Sequence, residues 1–244
     1  MKFETKLGIG LILSSVVIYT VAYFVFHDLT FIEKYTLIHL GFLPISVLLV
    51  TLILNRLIER REKMERLEKL NIVIGSFYAE IGDDLLRYIS KYDANINELV
   101  KELISIKEFG EEDFKKLKEY LLSRKYEVSV DKMNLYELKK YLAENKEFIV
   151  NLLDNPMLIE HDTFTDLLWN ILHVTEEMRR TINFENLPPE DYKELKNDIE
   201  NLYKLLAYEW VNYLHYLKDN YPHIFKYEMK TNPFFPHAYH SRLG

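Results

Sequence analysis

Residues 35–92 decide the fold of this chain, and they read YTLIHLGFLPISVLLVTLILNRLIERREKMERLEKLNIVIGSFYAEIGDDLLRYISKY. Up to Leu54 nearly every residue is apolar or small, over about the 20 residues that an α-helix needs to cross a ~30 Å hydrocarbon core. From Asn55 the sequence is densely charged, and neither Pro nor Gly separates the two halves. The pattern therefore predicts one unbroken helix, roughly 80 Å long, that passes from a membrane into water.

A second apolar stretch, residues 7–26, precedes this helix and reads LGIGLILSSVVIYTVAYFVF. A secretory signal peptide is the competing interpretation, but the run is too long for one and no small-residue cleavage site follows it. We therefore predict a transmembrane hairpin over residues 1–55, with spans at 7–26 and 35–55. Lys2 and Lys6 before the first span, and a basic cluster after the second, predict a multi-pass protein of the cell membrane with both termini in the cytoplasm.

The basic cluster after the second span, called here the collar, alternates with Glu and is predicted to touch anionic lipid headgroups. Its cations are Arg56, Arg60, Arg61, Lys63, Arg66 and Lys69. Residues 67–244 instead hold 23 Lys and Arg against 32 Asp and Glu, a net charge of −9. This acidic balance argues against nucleic acid as a partner, because nucleic-acid binding needs a basic surface.

The remaining sequence is typical of an all-α protein, since Gly and Pro number only 7 each. Residues 56–92 are predicted as collar and connecting helix, residues 93–220 as a cytosolic helical bundle, and residues 221–244 as an extended tail anchored by Phe234 and Phe235. The connecting helix carries an apolar seam on one face, which requires a packing partner. The seam consists of Leu67, Leu70, Ile74, Phe77, Ile81 and Leu85.

Few residues suggest chemistry. The chain has no Cys, which excludes disulfides, thiolate catalysis and iron–sulfur clusters. Phosphate-loop, dinucleotide-binding, serine-hydrolase and H-E-x-x-H motifs do not occur. The chain is therefore expected to be no enzyme and to need no cofactor.

A metal ion is the alternative, because His173 and Glu177 lie one helical turn apart, as ligands of metal sites in helical bundles do. The last long helix offers Asp198, Glu209 and His215, and the metal candidates are His173, Glu177, Glu209 and His215. Weaker candidates are Glu80, His161, His237 and His240. The competing interpretation makes this face of the helix a solvated surface with ordinary ion pairs, opposite a buried face that begins at Phe164.

Three segments carry a resemblance to a known family: LEKLNIVIGSFYAEIGDDLL at 67–86, HDTFTDLLWNILHVTEEMRR at 161–180 and YEWVNYLHYLKDNYPHIF at 208–225. They resemble an uncharacterised prokaryotic family of small membrane proteins with two transmembrane helices and a cytosolic α-helical domain. The resemblance implies this domain plan and no activity.

The sequence thus predicts an integral membrane protein that acts as an oligomeric anchor or interaction scaffold, with lipids, further copies of itself and a protein as partners. A small-xxx-small pair at Gly10 and Ser14 favours self-association in the membrane. An oligomeric pore is one alternative, and a membrane-tethered metal protein, either an oxidoreductase or a sensor, is another.

Overall fold

The computed structural model describes residues 3–26, 29–106, 109–156, 158 and 162–235, with side chains from Ile12 onward except at 26, 29 and 31. The chain divides into two compact units, Met1–Met64 and Glu65–Gly244. The described residues are helical almost throughout, and the only β-type pairing among them is an isolated antiparallel bridge between Asp93 and Val128. The predicted all-α class is confirmed.

The helices follow one another with short connections. They are α1 Phe3–Phe26, α2 Leu29–Phe77, a π-helical turn Tyr78–Gly82, α3 Asp83–Ser90, α4 Ile96–Ser105, α5 Glu111–Ser123, a 3₁₀ turn Val130–Lys132, α6 Leu135–Leu153, α7 Asp162–Arg180, α8 Pro189–Asn220 and α9 Pro222–Lys230.

The unit Met1–Met64 contains α1 and the first part of α2. Within the described residues, one helical run, Ile32–Ser90, is long and apolar enough to cross a membrane, with a mean hydropathy of 2.5 over its most apolar 18 residues. The described apolar part of α1, Ile12–Val25, is shorter. One long apolar helix near the N-terminus is therefore established.

The unit Glu65–Gly244 is a helical domain whose core includes the apolar seam. Ile74, Phe77 and Leu85 are at most 2% exposed, whereas Leu67 at the start of the seam is 37% exposed. Phe77 makes an edge-to-face contact with Phe164 of α7, with ring centroids 5.3 Å apart. The partner that the seam requires is thus the chain's own core, because the seam is covered by helices of the same domain.

The seam continues through the π-helical turn Tyr78–Gly82. A Cβ atom on Gly82 would lie 2.7 Å from ring atoms of Phe77 and Tyr78, closer than side chains allow. Gly82 is therefore required where the two rings fold back over the widened turn. The turn places the hydroxyl of Tyr78 in the core, where it donates a hydrogen bond of 2.9 Å to the carbonyl oxygen of Leu206.

Helices α7 and α8 complete the core. The face of α7 that begins at Phe164 is buried as predicted, and its members are Phe164, Leu167, Leu168, Ile171, Thr175 and Met178. Helix α8 runs for 32 residues and buries Trp210 completely. Trp169 of α7, in contrast, is 59% exposed. The two tryptophans therefore report on different places, one in the core and one at the surface.

A buried ion pair closes the loop between α3 and α4. Arg124 Nη2 lies 2.6 Å from Asp93 Oδ2, and both side chains are at most 3% exposed. The same carboxylate oxygen accepts a hydrogen bond from the hydroxyl of Tyr203, at 3.2 Å. Separating the two partners would leave a buried charge that water cannot reach, which is strongly destabilising. The network therefore holds together residues that are far apart in the sequence.

The C-terminal segment corrects a prediction. The tail was predicted to be extended from residue 221, but residues Pro222–Lys230 form helix α9. Pro222 occupies the first turn, where its missing N–H costs no hydrogen bond. Phe234 and Phe235 are buried and anchor the chain as predicted. A second correction concerns the predicted connector 56–92, because Leu70 and the seam residues after it belong to the domain core.

The seam can be tested with a matched pair of substitutions on α2. Ile74 is 2% exposed, whereas Ile72 on the same helix is 62% exposed. We expect Ile74→Asp to destabilise the domain by more than about 3 kcal/mol, because it removes a buried apolar side chain and buries a charge. Ile72→Asp should cost within ~0.5 kcal/mol, as surface changes do. The measurement is thermal unfolding of the detergent-purified protein, followed by the fluorescence of the buried Trp210. Equal loss of stability in both variants would contradict the burial of the seam.

Candidate functional site

The strongest cluster of metal-ligating side chains among the described residues joins α7 to α8. His173 and Glu177 are one turn apart on α7, and Asp198 faces them from α8. One ligand atom from each of the three lies within 4.8 Å of the other two. His173 Nε2 lies 3.1 Å from Asp198 Oδ2. The helix spacing therefore presents two of these groups together, and the packing of α7 on α8 adds the third.

This cluster has an excess of negative charge. The pKa of Glu177 is raised to about 7, chiefly by burial and in addition by its hydrogen bond with Asp198 and the negative charges of Asp198, Glu194 and Asp191. Oε2 of Glu177 is buried and accepts no hydrogen bond from a described residue. The side chains that meet here are thus two carboxyl groups in contact, close to two more, with one imidazole beside them.

The neighbouring carboxylate, Glu176, is in a different environment. It pairs with Lys146 of α6 and accepts a hydrogen bond of 2.9 Å from Arg179 Nε. These two hydrogen bonds lower the pKa of Glu176 to about 2. Glu176 therefore behaves as the solvated, ion-paired residue that the sequence predicts, whereas Glu177 does not.

A cavity of about 540 Å³ opens beside the cluster. His173 and Glu177 form part of its wall, and Arg180, Asp191 and Glu194 contribute further charged groups. The remaining wall comes from the end of α7 and the connection to α8. A group bound at His173 and Glu177 would thus be accessible to small molecules from this side.

The other predicted metal candidates lie elsewhere. Glu209 is on α8, eleven residues after Asp198, which corresponds to roughly 16 Å along the helix axis. It is fully buried, and its Oε1 accepts a hydrogen bond of 3.3 Å from Asn212. The structure therefore does not bring Glu209 to His173.

His215 lies still further along α8. Its Nε2 is 2.8 Å from Glu111 Oε2, and its ring stacks on Phe114 with centroids 4.4 Å apart. It thus serves the contact between α5 and α8. Among the weaker candidates, Glu80 is exposed, and His161, His237 and His240 lie outside the described residues.

A second cluster of carboxyl groups, missed from the sequence, lies between α3 and α9. Burial raises the pKa of Asp83 to about 7, and Glu228 of α9 adds to the rise, while Arg87 opposes it. Burial likewise raises the pKa of Glu228, whose carboxyl group accepts a hydrogen bond from Asp83. The two residues are far apart in the sequence, so no local pattern connects them.

Comparison with known proteins matches both parts of the chain. Residues 66–230 match a family described as "Uncharacterized protein MJ1433, C-terminal helical domain", and residues 1–58 match one described as "MJ1433, N-terminal helical domain". The chain belongs to the MJ1433 family. A relative from Methanocaldococcus jannaschii, described as "Uncharacterized protein MJ1433", is 41% identical over 234 residues, which cover 96% of this chain and 94% of the relative.

No solved structure matches the chain. The segment matched by the C-terminal MJ1433 family, residues 66–230, includes both carboxyl clusters, the one at His173, Glu177 and Asp198 and the one at Asp83 and Glu228. The predicted resemblance to an uncharacterised helical family is confirmed. The two family descriptions refer only to helical domains and do not mention a membrane.

The Asp83–Glu228 pair predicts how stability depends on pH. The pKa of Asp83 is about 7 in the folded protein against an ordinary value of 3.8, so the unfolded state loses this proton at a lower pH than the folded state does. The contribution of the proton to the free energy of unfolding is fully present below pH ~4 and is lost as the pH rises through about 7. We expect Asp83→Asn, which keeps a neutral hydrogen-bond donor, to be more stable than the parent at pH 8 by up to about 4 kcal/mol.

The two proteins should differ little below pH 4, and Asp84→Asn, at an exposed neighbouring position, is the matched control. The measurement is the midpoint of thermal unfolding of the detergent-purified proteins between pH 4 and 8. An Asp83→Asn variant that is less stable than the parent at pH 8 would contradict a protonated Asp83.

Proposed function

We propose that this chain is a two-span membrane anchor that holds an acidic helical domain at the cytoplasmic face of the cell membrane, where the domain serves as an interaction scaffold. The observation that carries this proposal is the exposure of apolar side chains along α1 and the first part of α2. Ile12 is 67% exposed, Leu37 is 72% exposed and Leu48 is 59% exposed. Apolar surface of this extent is unfavourable in water and favourable in hydrocarbon.

Length and charge support two spans. Helix α1 has 24 residues and α2 has 49, and about 20 residues cross a bilayer. Neither apolar stretch, 7–26 or 35–54, contains Asp, Glu, Lys or Arg. Lys2 and Lys6 stand before the first stretch and the collar follows the second, whereas the connection 27–34 holds a single Lys against one Asp and one Glu. This bias favours cytoplasmic placement of both ends.

The collar supports contact with lipid. All of its side chains are exposed in the structure, and exposed cations next to a span attract the anionic headgroups of the cytoplasmic leaflet. Glu side chains between them keep the local net charge small. This contact therefore orients the chain at the membrane surface and adds little to the anchoring by apolar helices.

Self-association, in this proposal, uses the membrane helices. The seam from Leu70 to Leu85 is covered by the chain's own core, so it is not available to form a coiled coil with a second copy. Ser14 on α1 is exposed and forms the small-xxx-small pair with Gly10. Small residues at this spacing let two helices approach closely in lipid.

The topology is tested by single cysteines, since the chain has none of its own. Thr30 lies between the two apolar stretches, and Ser123 is an exposed residue of the helical domain. We expect Thr30→Cys to react with a membrane-impermeant thiol reagent in intact cells and Ser123→Cys to react only after lysis, because only the short connection lies outside. Labelling of Ser123→Cys in intact cells, or of Thr30→Cys only after lysis, would exclude the proposed orientation.

Self-association is tested by cross-linking in the same cysteine-free chain. We expect Ser14→Cys to form disulfide-linked dimers upon mild oxidation in membranes, because the small-residue face brings two copies together. Ser15→Cys is the matched control, since its side chain points about 100° away around the helix. Equal dimer yields for the two variants, or none for either, would argue against this interface.

A further inference from the structure

We propose that His173, Glu177 and Asp198, whose ligand atoms converge between α7 and α8, bind a divalent first-row transition-metal cation of the Zn²⁺ type. This site goes beyond the anchoring function proposed above and does not depend on it.

The geometry needs little adjustment to close around an ion. In tetrahedral zinc sites the metal lies about 2.0–2.2 Å from nitrogen and oxygen ligands, so that ligand atoms are roughly 3.4 Å from one another. His173 Nε2 and Asp198 Oδ2 are 3.1 Å apart, and all three ligand atoms lie within 4.8 Å. Small side-chain rotations are therefore sufficient, and the backbones of α7 and α8 stay in place.

The local charges favour a dication. Glu177 and Asp198 are in hydrogen-bond contact and lie close to Asp191 and Glu194. Two carboxylates at this distance repel each other unless a proton or a cation lies between them. His173 supplies at most one positive charge, and the nearby Lys146 and Arg179 are both paired with Glu176. A divalent ion would bind both carboxylates and use the neutral form of the imidazole.

The donor set selects the class of metal. One imidazole with two carboxylates suits Zn²⁺, Fe²⁺ or Mn²⁺ better than Ca²⁺, which prefers oxygen ligands alone, or Cu⁺, which prefers sulfur. Three protein ligands leave one position of a tetrahedral site open. The cavity beside His173 and Glu177 gives water or a small molecule access to that position, and Arg180 in its wall favours an anionic molecule.

The test is a titration of the full-length protein, purified in detergent with a histidine-free affinity tag and stripped with a chelator. All proteins carry His237→Ala and His240→Ala, so that the tail cannot contribute ligands. Isothermal titration with ZnCl₂ should show one ion per chain with a Kd of ~1 µM or tighter. His173→Ala and Asp198→Asn should weaken binding at least ~100-fold, because changes at groups that merely support a ligand already cost 10–100-fold.

His215→Ala is the matched control, since His215 is also a histidine beside carboxylates on α8. It should bind Zn²⁺ as the parent does. No binding tighter than about 1 mM in the parent would overturn the site, and so would equal affinity in His173→Ala and the parent. Loss of binding in His215→Ala with His173→Ala unaffected would place the ion elsewhere and equally overturn it.

A spectroscopic readout keeps the result independent of changes in folding. Trp169 is 59% exposed and lies one turn before His173 on α7. Co²⁺ bound at the site should quench the fluorescence of Trp169, and the quenching should disappear in Trp169→Phe, which leaves the buried Trp210 as the only tryptophan. Quenching that persists in Trp169→Phe, or that is retained in His173→Ala, would contradict the proposed position. Circular dichroism of each variant confirms that its helices are intact.

Discussion

One helix of this protein carries two different patterns of apolar side chains. Helix α2 carries apolar side chains all round its first part and on only one face of its last part. Under the proposed anchoring function the two patterns suit two environments, because an all-apolar surface is stable in hydrocarbon and a one-sided apolar surface is stable against a protein core. The rest of the structure follows from the point at which the pattern changes. The other helices of the domain pack around the one-sided part of α2, where Ile74 and Phe77 are buried in the core.

The use of the seam within the chain changes how self-association is understood. A charged helix with a heptad-like apolar stripe is the ordinary signature of a coiled coil, in which a second chain covers the stripe. In this protein Phe77 packs on Phe164 and Tyr78 bonds to Leu206, so that α7 and α8 take the place of the second chain. The periodicity of apolar residues along a seam indicates that one face of the helix is buried. It does not indicate whether the helix that covers this face belongs to the same molecule or to another.

Polar groups in the domain fall into two types. The Asp93–Arg124 pair is compensated within itself and by Tyr203, and it joins loops that are distant in the sequence. The carboxyl groups at Glu177 and Asp198 and those at Asp83 and Glu228 lie next to each other instead. Burial, and to a smaller extent the neighbouring carboxyl groups, raise the pKa values of Glu177 and Asp83 to about 7. The first type carries its own counter-charge, whereas the second type contains carboxyl groups whose pKa values lie well above their ordinary values in the folded domain.

The sequence by itself determined the helical class, most helix positions, the apolar stretches and the buried faces of the seam and of α7. These features depend on residues within a few turns of each other, and the spacing of apolar side chains and the helix caps record them directly. It also determined that His173 and Glu177 share a face, since they are four residues apart. The spacing of Asp198, Glu209 and His215 on one helix already shows that these three cannot meet at one ion, because a helix rises 1.5 Å per residue. The helical tail after Pro222 had a signal as well, in the proline at its first turn.

Only the tertiary structure decided which carboxylate of α8 faces His173, that Asp83 meets Glu228, and that the seam is covered by its own domain. Each of these depends on how one helix is shifted and rotated against another. The helices concerned are separated in the sequence by more than 20 residues in one case and by more than 140 in another. A shift of a single turn moves a side chain by ~5.4 Å along the helix axis, enough to replace one partner by another. The spacing of residues within one helix does not predict how that helix is shifted against its neighbour. The shift is set by the packing of many apolar side chains at once, and so it exists only in the folded domain.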